Sequence, residues 1–119
     1  MHVERRGPPV HGDGKQSRDF TYVANVVDAT IRAVQTTEAA GLFFNVGCGK
    51  ENSILELVAA LNRILGTKLE PFFTPLRAGD VPRTLADISR AQKILGYQPR
   101  VDFESGLRRA VDYFKKVWA

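Results

Sequence analysis

A chain of 119 residues with 44% hydrophobic and 25% charged residues suits one globular domain, and its ordinary composition excludes disorder or a fibrous repeat. No apolar run approaches the roughly 18 residues of a membrane span and no apolar stretch follows Met1–Arg6, so a cytoplasmic protein without membrane contact is expected; one cysteine and two histidines (His2, His11) leave no intrachain disulfide and no evident metal site. The net charge of +4 admits a phosphate-bearing partner, but Arg108, Arg109, Lys115 and Lys116 fall on the polar side of an amphipathic helix, so nucleic acid is not expected.

Residues 1–14, with Gly7-Pro8-Pro9 and Gly12-Asp13-Gly14, read as an irregular arm with at most a short strand around Val10; residues 15–119 read as a single domain. From Val23 onward, Val23, Val26, Val27, Ile31 and Val34 recur at helical spacing and predict one buried stripe. Leu42 to Val46 is short, aromatic and bounded by glycines, as a buried strand would be. Ser53 and Glu56 have capping-box spacing, Ile54, Leu57, Val58, Leu61, Ile64 and Leu65 make a helical stripe, and Gly66 ends it. Leu69 to Phe73 predicts a strand that Pro71 confines to an edge. Asp87 caps a short helix with Ile88, Ala91, Ile94 and Leu95 inward and Gly96 at its end. Asp102 caps a last helix with Phe103, Leu107, Ala110, Val111, Phe114 and Trp118 on one side. The sum is an α/β (α+β) domain of about four helices and two to three short strands, with at least one crossover between parallel strands.

Four constellations bear on chemistry. Arg18, between a Gly-Asp-Gly turn and Phe20, has a guanidinium fork suited to a diphosphate, although an Arg-Asp pair also suits a plain surface. Arg77-Ala78-Gly79-Asp80 is a turn with an arginine and an aspartate at its ends, open to the same two readings. Gly47-Cys48-Gly49-Lys50-Glu51-Asn52 half-matches a dinucleotide fingerprint, but Asn52 replaces the third glycine and a tight structural turn is the better reading, even though amides there could hold an anion. Cys48 is read as a passive small residue. Tyr22 and Tyr97 are followed four residues later by Val26 and Val101, not by lysine.

In this order, the segments Gly12 to Val23, Phe44 to Gly49 and Arg77 to Val81 resemble the carboxyl-terminal portion of an extended short-chain dehydrogenase/reductase, the NAD-dependent epimerase/dehydratase family that includes UDP-sugar 4-epimerases. The likeness runs from about Val10 to the end and takes in Leu85-Ala86-Asp87-Ile88-Ser89 and Leu95-Gly96-Tyr97-Gln98-Pro99. It implies part of an extended Rossmann-type enzyme. It further implies that Arg18 and Arg77 contact the diphosphate of a nucleotide sugar, that Phe20 lines the same site, and that Asp80 binds the nucleoside. Ala78 stands where the family has proline, and Asn25 where aspartate is frequent, a departure expected to act on helix-end electrostatics. The family's NAD-binding glycine loop and its Tyr-x-x-x-Lys pair have no counterpart in these residues. The chain alone is therefore expected to bind no cofactor, to carry no catalytic residue, and to bind a UDP-sugar with low affinity. Its expected protein partner is a second copy or a separate cofactor-binding chain.

Overall fold

The computed structural model describes residues 7–118; the first six residues of the expected arm lie outside that range. The elements are β1 (Pro9–His11), β2 (Ser17–Arg18), α1 (Val23–Gln35), a 3-10 turn (Thr37–Ala39), β3 (Asn52–Ser53), α2 (Ile54–Leu65), β4 (Phe72–Thr74), a short helix (Ala91–Leu95) and α3 (Phe103–Val117). This is the small mixed α/β arrangement of helices and short strands that the sequence pattern predicts.

β1 pairs with β4 in parallel, Val10 opposite Phe73, and Val10 is buried. β4 begins directly after Pro71, which has no N–H to contribute to a ladder. The predicted strand over Leu69–Phe73 starts later than expected because Asn62 engages Leu69: its Oδ1 accepts from Leu69 N at 3.1 Å and its Nδ2 donates to Leu69 O at 3.0 Å. The side-chain amide thus replaces a strand neighbour.

α2 is capped as its sequence dictates. Ser53 Oγ accepts from Glu56 N at 3.0 Å, Glu56 Oε1 accepts from Ser53 N at 3.4 Å, and Gly66 adopts φ 67° at the other end. The two amides before Glu56 bond to the segment ahead of β2, Ile54 N donating to Gln16 O at 3.0 Å and Leu55 N to Gly14 O at 3.1 Å. Asp102 caps α3 by accepting from Ser105 N at 2.8 Å.

The core gathers Ala29, Ala39, Ile88, Ala91, Leu95 and Tyr97, with Ala33, Phe44, Val46, Ala86 and Ile94 packed against it. Two expectations are corrected here. The α1 stripe of Val23, Val26, Val27, Ile31 and Val34 is not buried: these side chains are 40–83% exposed, and α1 instead packs through Asn25, Ala29 and Ala33. Small residues let the helix approach the core closely, while nothing among the described residues covers the valine face. The segment Leu42–Val46 forms no strand: it has no ladder hydrogen bonds to another described segment. Phe44 and Val46 still point into the core, and Phe43 is 76% exposed.

Asn25 is also more than a helix-end substitution. It is buried, donates from Nδ2 to Val101 O at 2.8 Å and accepts at Oδ1 from Val101 N at 3.1 Å. An aspartate in the same place could make only the second of these bonds while ionised.

Candidate functional site

β2 lies between two segments. On one side β3 pairs with it antiparallel, Ser17 opposite Ser53 and Arg18 opposite Asn52. On the other, Ser17 N donates to Pro82 O at 2.9 Å and Thr84 N donates to Ser17 O at 3.1 Å. The stretch that follows Asp80 therefore runs along the residue next to Arg18.

Arg18 is half-buried and its Nη1 donates to Ser17 O at 2.7 Å. The turn at Arg77–Asp80 is closed by Asp80 N donating to Arg77 O at 3.2 Å. Gly79 holds φ 88° at the third position, the left-handed conformation a type II turn needs there, so the turn forms with alanine in place of proline at position 78. Arg77 and Asp80 are exposed, and among the described residues neither Arg18 nor Arg77 has an ion-pair partner. Asp80 borders a cavity of about 260 Å³ with Lys15, Gln16, Leu76 and Pro82. That is slightly below the range of roughly 300–1,000 Å³ found for complete small-molecule pockets.

Phe20 stands apart from this cavity. Its ring is 5.5 Å from that of Phe103, and it borders a larger cavity of about 470 Å³ with Cys48, Lys50, Asn52 and Arg63. Of the four residues expected to share a ligand, Asp80 borders one cavity and Phe20 the other, and neither lining includes Arg18 or Arg77.

The glycine turn that half-matches a dinucleotide fingerprint is held by the chain's own groups. Asp19 Oδ1 accepts from Cys48 N at 3.0 Å and Oδ2 from Gly49 N at 2.9 Å, while Tyr97 Oη donates to Gly47 O at 2.6 Å. With the first amides of α2 bonded to Gly14, Gln16 and Ser53, and those of Cys48 and Gly49 to Asp19, none of these amides is free to cradle a phosphate. Burial, followed by the nearby Asp19 charge, pushes the Cys48 thiol above its usual range, which fits a passive rather than a nucleophilic cysteine. Tyr97 is wholly buried, with its hydroxyl committed to Gly47. Asp19 is the residue that sequence reasoning left without a role, although it sits inside the Arg-Asp-aromatic motif.

The chain is similar to known proteins. Residues 1–110 match the family model described as GDP-mannose 4,6 dehydratase. The chain is 40% identical over 110 residues to the UDP-glucose 4-epimerase of Mycolicibacterium smegmatis, covering 92% of this chain and 35% of that protein. Among solved structures it is similar to the UDP-glucose 4-epimerase of Thermotoga maritima with UDP-glucose, at TM-score 0.89 and 34% identity over 95% of this chain and 36% of that one. It is likewise similar to the UDP-glucuronic acid 4-epimerase of Bacillus cereus in complex with UDP-glucuronic acid and NAD, at TM-score 0.87 and 35% identity over 92% of this chain and 36% of that one. The chain spans about a third of the length of these relatives.

Proposed function

Because the chain belongs to the GDP-mannose 4,6 dehydratase family, we propose that it is the nucleotide-sugar-binding part of an NAD-dependent epimerase or dehydratase, and that it holds the diphosphate of a UDP-sugar between Arg18 and Arg77. Asp80 takes the nucleoside side of the ligand. Phe20, two residues after Arg18, supplies an aromatic wall on the side of the larger cavity. The observation that carries this reading is the main-chain pairing of Ser17 with Pro82 and Thr84, which docks the segment following the Arg77–Asp80 turn against the strand bearing Arg18. Two guanidinium groups without carboxylate partners among the described residues suit, at such a junction, bidentate, charge-assisted contact with phosphate oxygens. The named ligands of similar structures, UDP-glucose and UDP-glucuronic acid, support the same ligand class. A cytoplasmic location accompanies it.

Binding by this chain is of low affinity, because few contacts offset the entropy of association. Titration calorimetry at low salt should give saturable binding of UDP and UDP-glucose but not NAD, and Arg18→Ala should lose at least about tenfold in UDP affinity, the equivalent of one charge-assisted contact. Equal UDP binding by Arg18→Ala and the parent would refute this site.

A second reading has its own observation. The exposed valine face of α1 and the unpaired segment Leu42–Val46 suit a protein partner, either a second copy or a separate cofactor-binding chain.

A further inference from the structure

Asp19 lies between Arg18 and Phe20 and binds neither. Its carboxylate accepts from Cys48 N at 3.0 Å, Gly49 N at 2.9 Å and, at a longer 3.4 Å, Ala86 N, with the Thr21 hydroxyl at 3.3 Å. Three chain segments remote in sequence, around positions 19, 48 and 86, therefore meet on one side chain. The last of them continues the stretch 82–84 that bonds to Ser17 and leads back to Asp80 and Arg77. Gly47 completes the junction: a Cβ there would lie 2.6 Å from Asp19 Oδ2 and 2.8 Å from Ala86 Cβ, so only glycine lets the carboxylate and the 86 segment close on each other.

We propose that Asp19 is a positioning residue for the diphosphate site: by gathering the amides of Cys48, Gly49 and Ala86, its carboxylate fixes the strand bearing Arg18 relative to the stretch that carries Arg77 and Asp80. This rests on the UDP-sugar reading above. The physical basis is that a carboxylate bonded to main-chain amides makes charge-assisted bonds, each stronger than a neutral one. An asparagine of the same shape presents an NH₂ group that cannot accept from an amide, so at least one of the segments is released. Arg18 then keeps its charge but loses its fixed distance to the second arginine, and a diphosphate can no longer engage both at once.

The test uses the full chain with UDP as ligand. Asp19→Asn is expected to lower UDP affinity at least about tenfold, and Gly47→Ala, which keeps both Asp19 and Arg18, is expected to lower it in the same direction by wedging Asp19 from Ala86. The readout that a general loss of stability would not reproduce is a double-mutant cycle. In the parent, Arg18→Ala and Arg77→Ala should be non-additive in UDP binding, whereas in the Asp19→Asn background they should be additive. Amide hydrogen exchange should quicken at Cys48, Gly49 and Ala86 in Asp19→Asn and stay unchanged along α2. UDP affinity or Arg18–Arg77 coupling unchanged by Asp19→Asn overturns the proposal. If the parent binds no UDP, the diphosphate reading fails on its own account. Exchange then decides the role of Asp19: local quickening upholds its hold on the three segments, and unchanged protection overturns it.

Discussion

Tyr97 illustrates how much depends on single long-range bonds at the residue scale. Its phenol is wholly buried and donates to Gly47 O at 2.6 Å. Burial, and after it the negative charges at Cys48, Asp19 and Asp28, pushes its pKa from the usual 10 up to about 12. The fold thus favours the neutral phenol. Its contribution is complete below pH 10, where the unfolded chain also keeps the proton, and is lost as pH rises from 10 through about 12. Tyr97→Phe should cost about 1–3 kcal/mol at neutral pH, since it leaves the Gly47 carbonyl unpaired in the core. Denaturant midpoints of the parent and Tyr97→Phe should converge as pH rises over that interval, and a difference that stays constant to pH 12 would contradict the assignment. Ser53, by contrast, acts within one turn of helix, and its capping box with Glu56 was legible from residue spacing alone.

Among the elements, α1 departs most from what its periodicity suggests. Five apolar residues at helical spacing are read as a buried stripe, yet the helix packs through Ala29, Ala33 and the buried Asn25. The valine face, with Val34 at 83% exposure, is open among the described residues, and on the second reading proposed above another polypeptide covers it. Light scattering on the purified chain should find a dimer or larger species. Val27→Asp with Ile31→Asp should shift it to monomer while changing unfolding free energy little, since both side chains already face solvent. A parent that runs as a clean monomer would remove this reading. α3 has a similar division: Phe103 and Leu107 are half-buried, whereas Phe114 and Trp118 are about half exposed, with ring centroids 5.1 Å apart, and Phe114 also meets Tyr113 at 5.3 Å.

As a whole the molecule is elongated, 50 × 33 × 21 Å, with a radius of gyration of 16.9 Å against about 13–14 Å for a compact domain of this length. A thin, alanine-rich core and two partly uncovered helices account for that shape. No tyrosine in the chain is followed four residues later by lysine, and the glycine turn has spent its amides on Asp19. On the proposed reading, the purified chain given NAD and UDP-glucose should yield no epimerised sugar by product chromatography, and measurable conversion would overturn that expectation.

Local interactions are written into the sequence because they act between residues a few positions apart. The caps of α2 and α3, the glycine ends at Gly66 and Gly96, the Arg77–Asp80 turn and the mixed α/β class are all of this kind. The motifs around Arg18 and Arg77 also pointed to the family before any coordinates did. Tertiary structure alone decided which face of α1 is buried, that Leu42–Val46 has no partner strand among the described residues, that Phe20 faces Phe103 rather than the cavity bordered by Asp80, and that Asp19 joins three segments. Each of those outcomes depends on which remote segment arrives beside a residue, and periodicity records only that a side chain is apolar, not whether anything is present to cover it.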